Sequence, residues 1–213
     1  KYAAFTTHEL GQKKIWLYDF SKNKVERLMV HGHKLQRIND KVYPILAWHP
    51  GGKILSFISE KKGQVELTFY TPETGKFQSK PIFKLEKVLD YSYSEDGKNL
   101  VISAISNGQS DIFIYKIAPN IQEAVTNDSF DDFYPAYLTS NDIIFSSNRN
   151  NDTLKSTASE EKPVFQKNYD LFLYNSTSAG RSRILKHVTN STSNEVFSAP
   201  FSMKNFNFLS DEN

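Results

Sequence analysis

The chain contains no cysteine among its 213 residues. This absence excludes disulfide bonds, thiolate metal ligands and a cysteine nucleophile. No apolar stretch approaches the roughly 18 residues that a membrane-spanning helix requires. The serine elbow Gly-x-Ser-x-Gly, on which one large class of hydrolases depends, is also missing. The sequence therefore carries little that points to catalysis, and the information must come from its strand pattern.

Charge of either sign is not in excess. The 26 Lys and Arg residues nearly balance 24 Asp and Glu residues, which leaves a formal net charge of +2. A nucleic-acid-binding domain would show a clustered basic stripe, so we expect no nucleic-acid partner, and we identify no cofactor site. Aromatic residues, in contrast, are plentiful at 14%, with 16 Phe and 11 Tyr. Aromatic side chains pack well on the pleated surface of strands, which favours an all-β fold.

A short apolar run that ends in tyrosine occurs four times in the chain. The closing tyrosines lie 52, 45 and 59 residues apart, at Tyr18, Tyr70, Tyr115 and Tyr174. A second marker recurs in phase with them: an aromatic residue precedes a turn, and an apolar run follows it, at Trp48, Tyr93 and Tyr137. Two strand-rich markers that repeat together are typical of the blades of a β-propeller.

The repeat predicts a single, partial propeller domain of four-stranded antiparallel blades. We expect the chain to be a piece of a longer propeller. Its complete blades are predicted at about 42–80, 88–126 and 134–189, and its partial blades at about 1–30 and 196–213. Gly52 and Gly97 are expected to supply the positive φ of tight turns, with Asn141-Asp142 as the non-glycine substitute.

The third complete blade is lengthened by residues 150–168. This insertion is rich in Ser, Thr, Asn and charged residues, and it lies between the second and third strands of the blade. In a propeller such loops gather on one face with the links between blades, and partners usually bind there. The insertion is therefore either a partner-binding loop or an idle surface extension.

Candidate site residues are few. The histidines of His31-Gly-His33 point the same way on a strand, but no third ligand has a recognisable spacing, so we predict no metal site. Adjacent carboxylates occur at Asp131-Asp132 and Glu160-Glu161, although a glycosidase needs two carboxyls held across a sugar. We expect Asp131 and Asp132 to cap backbone amides ahead of an inner strand. Arg149 is expected to pair with this acidic link, which makes Asp131, Asp132 and Arg149 candidate partner-binding residues.

Three segments carry a family resemblance. Gln109-Ser-Asp-Ile-Phe-Ile-Tyr, Asp131-Asp-Phe-Tyr-Pro-Ala-Tyr and Ile144-Phe-Ser-Ser-Asn-Arg resemble TolB-like β-propeller repeats. The turn at Trp48-His-Pro-Gly-Gly-Lys looks like those of the large TolB-like envelope proteins of Bacteroidetes, although Tyr93 and Tyr137 stand where the repeat has Trp. The resemblance implies a cell-envelope location, in the periplasm or at the outer membrane, and a role in binding envelope proteins.

Glycosylation motifs are also present. Asn-x-Ser/Thr sequons occur at Asn127, Asn151, Asn175 and Asn190, a number that chance alone would nearly produce in a chain this rich in Asn, Ser and Thr. The triplet Asp152-Thr153-Leu154 is similar to the short O-glycosylation acceptor of Bacteroidetes envelope proteins. This resemblance makes Thr153 a candidate modification site in the long insertion.

Three functions are compatible with these features. The first is a non-enzymatic, TolB-like propeller that acts as a protein–protein interaction scaffold in the bacterial cell envelope. The second is the substrate-gating propeller of a larger prolyl oligopeptidase-type hydrolase, whose catalytic serine would lie outside this chain. The third is a carbohydrate-acting propeller. No catalytic residue is identified within the chain itself.

Overall fold

Strands are the only regular elements in the part of the chain that the computed structural model describes. The described residues are 1–9, 11–32, 42–150, 154, 168–175, 185–190 and 192–195. Among them no helix has the length and apolar character needed to cross a membrane. The predicted all-β fold class is confirmed.

The strands form four antiparallel sheets, and in each sheet the strands lie side by side in chain order. Sheet I holds β1 (Tyr2–Glu9), β2 (Gln12–Asp19) and β3 (Lys24–His31). Sheet II holds β4 (Ile45–Trp48), β5 (Leu55–Lys61), β6 (Gln64–Thr71) and β7 (Lys76–Pro81). Sheet III holds β8 (Lys87–Tyr93), β9 (Asn99–Ser106), β10 (Gln109–Lys116) and β11 (Ile121–Ala124). Sheet IV holds β12 (Asp132–Tyr137), β13 (Asp142–Ser147), β14 (Asp170–Asn175) and β15 (Leu185–His187).

This arrangement is that of a partial β-propeller. Each four-stranded sheet corresponds to a predicted complete blade, and the three-stranded sheet corresponds to the first partial blade. The predicted partial blade at 196–213 lies outside the described residues. The assignment of the whole chain to a single domain stays a prediction.

The second strands of sheets II and III, β5 and β9, are apolar on both faces because each packs between two neighbouring sheets. In β5, Leu55 and Phe57 are buried in a cluster with Ile15 of sheet I. Ile58, which points to the opposite face of the same strand, is buried in a cluster with Leu100 of sheet III. The alternation of strand side chains thus divides one apolar run between two interfaces.

Strand β9 repeats this division one blade later. Leu100 and Ile102 face sheet II, whereas Val101 joins a buried cluster with Ile143 and Phe145 of sheet IV. Three apolar clusters therefore fill the three interfaces between consecutive sheets. Burial of this kind stabilises by about 25 cal/mol for each Å² of apolar surface removed from water. An isolated sheet would expose its apolar faces to water, so each sheet depends on its neighbours for burial.

The repeated tyrosines close the hairpin between the third and fourth strands. The hydroxyl of Tyr18 donates a hydrogen bond to the side-chain oxygen of Asn23, and Tyr115 donates in the same way to Asn120. Both asparagines have positive φ, as does Gly75 at the equivalent position of sheet II. In sheets I and III the tyrosine repeat therefore marks a structural hairpin contact.

The first turns of sheets II and III have the predicted glycines at positive φ. Gly52 has φ of 68° and Gly97 has φ of 69°. Gly97 is restricted further, because a Cβ atom there would lie 2.1 Å from Nε2 of His49 in the neighbouring blade. His49 also contacts the ring of Tyr93 edge to face, with 5.2 Å between ring centroids. This turn therefore doubles as an inter-blade contact.

The prediction for the corresponding turn of sheet IV is wrong. Neither Asn141 nor Asp142 belongs to the residues with positive φ. Thr139 closes this turn instead: its Oγ1 accepts hydrogen bonds from the backbone amides of Asn141 and Asp142, at 3.2 and 3.1 Å. The Thr139 hydroxyl accepts hydrogen bonds from the amides of the turn. The turn can therefore close without a residue at positive φ.

Three buried serines, which sequence reasoning did not single out, form hydrogen bonds with groups outside their own sheets. Ser103 Oγ of sheet III donates to the carbonyl oxygen of Asp132 in sheet IV at 2.8 Å. Ser146 makes the same contact with the carbonyl of Glu195 at 2.8 Å, and Ser56 pairs with the Tyr91 hydroxyl of sheet III at 2.8 Å. Ser103 and Ser146 occupy matching places in β9 and β13, whereas Ser56 lies two positions earlier in β5. All three place a polar contact inside otherwise apolar packing.

The connections between strands alternate between the two ends of the sheets because the strands are antiparallel. One end, here termed the link face, carries the connections 62–63, 107–108 and 148–169 and the links between sheets at 82–86 and 125–131. The other end, termed the turn face, carries the connections 49–54, 72–75, 94–98 and 117–120. The link face holds the long connection.

Replacing Ser103 by Ala should lower the free energy of unfolding by about 1 kcal/mol, because a buried carbonyl loses its donor. Urea denaturation followed by tryptophan fluorescence measures this change. Ser140→Ala, at an exposed turn position, is the matched control and should have no measurable effect. Equal stability of Ser103→Ala and the wild type would contradict the role assigned to this contact.

Candidate functional site

Arg149 lies on the link face, at the seam between sheets III and IV. It follows β13 directly, and its side chain has 0% exposure to solvent. Its two terminal nitrogens bind two carboxylates: Nη2 donates to both oxygens of Asp132, at 2.9 and 2.7 Å, and Nη1 donates to Asp128 at 3.1 Å. Nε donates to the hydroxyl of Ser147 at 2.9 Å. The guanidinium is thus engaged on every side.

Three aromatic rings surround the same guanidinium. Its Cζ atom lies 5.3 Å from the ring centroid of Phe130 and 5.8 Å from those of Phe145 and Phe172. The faces of aromatic rings attract cations, and this attraction is stronger where water is excluded. The rings therefore both stabilise the charge and shield its ion pairs from solvent.

Backbone contacts hold the acidic link in the position that Arg149 requires. The amide of Asp132 donates to Ser110 Oγ at 3.2 Å, and that of Asp131 donates to the side-chain oxygen of Asn148 at 2.9 Å. Asp128 accepts from the amide of Phe130 at 3.1 Å, so its carboxylate caps the link as well as binding arginine. The link is fixed by sheet III on one side and by the start of the long connection on the other.

A third carboxylate, that of Asp111, extends the cluster. Its Oδ1 accepts from Thr126 Oγ1 at 3.2 Å, and Thr126 Oγ1 in turn accepts from the amide of Ile112 at 2.8 Å. Sheet IV contains a related pair: the amide of Leu171 donates to Thr189 Oγ1 at 2.8 Å. The recurring Thr after the outer strand therefore satisfies a buried amide of the third strand in both blades.

The cluster carries more negative than positive charge. Carboxylate oxygens of Asp111, Asp128 and Asp132 lie within 4.8 Å of one another, around a single guanidinium. Burial raises the pKa of Asp132 to about 6, although the charge of Arg149 opposes this shift. Burial likewise raises the pKa of Asp111 to about 6, while the amide of Asp128 and the hydroxyl of Thr126 oppose it. Both carboxyls therefore keep their protons to a higher pH than an ordinary aspartate does.

The chemistry of this cluster is that of an ion-pair network. Groups of carboxylates bind hard cations such as Ca²⁺ in many proteins. Here the positive charge is supplied by Arg149, which donates to both oxygens of Asp132 and to both oxygens of Asp128. A buried pair of this type contributes modestly to stability while intact, but removal of one partner leaves an uncompensated charge. The network therefore anchors the link between blades.

The structure brings together two of the three predicted site residues. Arg149 binds Asp132, as its predicted pairing with the acidic link requires, whereas Asp131 contacts Ser110, with 3.4 Å between their side-chain oxygens. Sequence reasoning missed Asp128, since only the folded link turns its carboxylate toward arginine. Partner binding by Asp131, Asp132 and Arg149 stays a prediction, and the burial of Asp132 and Arg149 restricts these two to positioning the link.

Several predicted candidates lie outside the described residues. These are Thr153, His33, and the pair Glu160-Glu161. Most of the insertion 150–168 is outside them as well, except Asn150, Leu154 and Asn168. The structure thus bears neither on the modification of Thr153 nor on a metal site at His31-Gly-His33.

The chain is similar in fold to solved propeller structures. It matches TolB from Acinetobacter baumannii with a TM-score of 0.62 and 16% identity, covering 92% of this chain and 43% of that one. A protein assigned as TolB from Agrobacterium tumefaciens matches with a TM-score of 0.56 and 14% identity, covering 87% of this chain and 62% of that one. The tricorn protease matches with a TM-score of 0.53 and 16% identity, covering 82% of this chain and 17% of that one.

Sequence comparison adds nothing to these likenesses. No family model matches the chain, and no curated protein matches it. The chain spans less than two thirds of the length of each of the three structures. At identities of this size the likeness establishes the fold: the chain has a β-propeller fold similar to those of TolB and of protease propellers.

Replacing Arg149 by Ala should destabilise the protein by about 3–5 kcal/mol, since Asp128 and Asp132 would remain buried without their cation. Urea denaturation at pH 7 measures the change, and Asp131→Asn serves as the control on the same link. Adding Asp132→Asn to Arg149→Ala should recover part of the loss, because one of the two uncompensated charges disappears. Unchanged stability in Arg149→Ala would show that the network does not anchor the link.

Replacing Asp111 by Asn should stabilise the protein at pH 7 and have little effect at pH 4. The folded carboxyl has a pKa of about 6, above its ordinary value of 3.8, so the folded state binds the proton more tightly. This contribution is fully present below pH 4 and is lost as the pH rises through 6. We expect a difference of about 1 kcal/mol at pH 7, less than the full equivalent of the shift because solvent screens part of it.

Urea denaturation of both proteins at intervals between pH 4 and 7 checks this expectation. Glu73→Gln, at an exposed turn, is the matched control and should follow the wild type at every pH. A difference between Asp111→Asn and the wild type that does not change with pH would contradict the assignment.

Proposed function

We propose that this chain is part of a non-enzymatic, TolB-like propeller that acts as a protein–protein interaction scaffold in a bacterial cell envelope. The fold likeness to TolB supports the proposal, together with the TolB-like repeat motifs and the resemblance of the Trp48 turn to Bacteroidetes envelope proteins. The same resemblance supports a periplasmic location and association with the outer membrane. Rigid blades would present variable connections to partner proteins.

The observation that carries this proposal is the long connection of sheet IV. Sheets II and III join their second and third strands through two residues, Lys62-Gly63 and Asn107-Gly108, all at positive φ as in a tight hairpin. Sheet IV replaces this hairpin by residues 148–169, although Ser147 and Asp170 still pair across the strand ends. The strand register is preserved across the added residues, one of which, Leu154, packs against the apolar cluster between sheets III and IV.

Both ends of this connection are attached to the body of the propeller. Arg149 anchors its beginning through the buried ion pairs with Asp128 and Asp132. Tyr169 anchors its end, since its amide donates to the side-chain oxygen of Asn194 at 3.0 Å and its carbonyl accepts from the amide of Glu195 at 2.7 Å. Fixed ends limit the entropy that a binding loop loses when it engages a partner.

A second candidate function is the substrate-gating propeller of a larger prolyl oligopeptidase-type hydrolase. The fold likeness to the tricorn protease favours it. A carbohydrate-acting propeller is the third candidate. The sequence of the full-length protein separates these functions: a Gly-x-Ser-x-Gly domain would favour the hydrolase, whereas a lipoprotein signal with further repeats would favour the scaffold.

Replacing residues 152–166 by Gly-Ser-Gly tests the scaffold directly. The substitution keeps Arg149 and Tyr169 but removes Leu154, which packs against the cluster between sheets III and IV. We therefore expect a small loss of thermal stability, together with loss of a partner that the wild-type protein captures from solubilised native membranes. A second variant keeps the length but scrambles the order of residues 152–166, which distinguishes the loop sequence from its bulk. Glu95→Ala, on the turn face, is the control. Capture of the same partner by all four proteins would exclude this loop as the binding element.

A further inference from the structure

A groove separates sheets II and III on the turn face, opposite the long connection. It has a volume of about 990 Å³, near the upper end of the range typical of ligand sites. One wall is formed by the ends of β6 and the outer strand β7, and the other by the turn at 97–99 and the hairpin at 116–119. The groove is therefore built from two adjacent blades, and its shape depends on how they pack.

The side chains on the β7 wall are basic and polar. Lys76, Gln78 and Lys80 alternate along β7 and share the face that carries their cross-strand partners, Thr71, Phe69 and Leu67. Leu67 and Phe69 belong to the cluster between sheets II and III, so the three side chains point toward sheet III. Alternate positions on a strand place Lys76 and Lys80 roughly 13 Å apart, with the Gln78 amide between them.

The groove combines this basic wall with apolar surface. Its lining includes four lysines and no Asp or Glu. Phe69 and Ile54 from sheet II and Ile117 and Pro119 from sheet III contribute apolar groups. A ligand that fits must therefore bring negative charge to the rim and apolar surface to the interior.

The four lysines differ in what they contact. Lys116 forms an ion pair with Glu123 at 2.6 Å, and the ammonium of Lys80 donates to the carbonyl of Ile117 at 2.8 Å across the groove. Lys98 lies 3.8 Å from Asp96, with both side chains largely exposed, and such a surface pair is weak. Lys76 is exposed near the mouth of the groove. Lys76 and Lys98 thus offer charge to a ligand from opposite walls, and Lys80 adds the ammonium donors that it does not give to Ile117.

We propose that this groove binds an extended acidic peptide segment of a partner protein. Carboxylates four residues apart on an extended chain would be spaced as Lys76 and Lys80 are, since both are strands with the same rise per residue. An apolar residue between the two carboxylates would lie over Phe69 and Ile117. The Gln78 amide, which can donate and accept, would bind a peptide group between the two charges.

Other polyanions fit the groove less well. A nucleic acid would require a continuous basic stripe along its backbone, whereas the cations here are confined to one cleft of a chain whose net charge is only +2. A membrane surface cannot enter a cleft between two blades. A peptide strand matches both the alternating spacing and the apolar interior. This groove is separate from the link face, so peptide binding here can be tested independently of the scaffold proposal.

Fluorescence anisotropy with a labelled peptide, Gly-Glu-Gly-Phe-Gly-Glu-Gly, tests the proposal. We expect saturable binding that weakens with added salt, since the charges are exposed. The peptide with Gln in place of both Glu residues should bind at least about tenfold more weakly, and Lys76→Glu should weaken binding of the acidic peptide by a similar factor. Lys24→Glu, an exposed residue of sheet I with the same charge change, should remain within about twofold of the wild type.

Four results would overturn the proposal. They are an absence of saturable binding, equal binding of the acidic and neutral peptides, equal weakening by Lys76→Glu and Lys24→Glu, and displacement of the peptide by equimolar inorganic phosphate. The third would indicate non-specific attraction, and the fourth a site for small anions. None of these results depends on residues 152–166, so the outcome is distinguishable from that of the loop replacement.

Discussion

The whole structure depends on the need to bury both faces of each blade. The second strands are apolar on both sides, with Leu55 and Phe57 toward one neighbour and Ile58 toward the other. A single four-stranded sheet would expose both of these faces to water, at a cost of about 25 cal/mol for each Å². Stacking of consecutive sheets removes both faces from water at once. The stability of each blade therefore depends on the blades beside it.

Buried polar groups then determine how consecutive blades are joined. A hydrogen-bonding group that loses water must find a partner in the protein, or destabilise it by about 1–3 kcal/mol. Ser103 meets this requirement by donating to a carbonyl of the following blade, and Ser146 by donating to the carbonyl of Glu195, which follows sheet IV in the chain. Arg149 meets it on a larger scale, because it joins two carboxylates of the link to the end of β13. The interfaces are apolar in bulk, and these few polar contacts fix the relative position of the blades.

The binding surfaces follow from the same construction. Connections alternate between two ends, so each blade contributes to a link face and a turn face without change to its core. On the link face, a two-residue hairpin in sheets II and III becomes the connection 148–169 in sheet IV while the strands keep their register. On the turn face, the gap between sheets II and III leaves the groove lined by Lys76 and Phe69. The framework tolerates this variation because the paired strands keep their register on either side of it.

The sequence by itself determined the strand pattern, the phase of the repeats and the position of the long connection, because alternation and turn residues are local properties. It also indicated that Arg149 pairs with the acidic link. It did not indicate that Asp128 shares this arginine, that Thr139 closes its turn without a left-handed residue, or that Ser103 joins two blades. The contacts of Asp128 and Ser103 join residues that are distant in sequence. The turn at Thr139 is one of several conformations that its local sequence allows. Only the tertiary structure decided them, since the packing of one sheet on the next sets which groups lose water together and must pair.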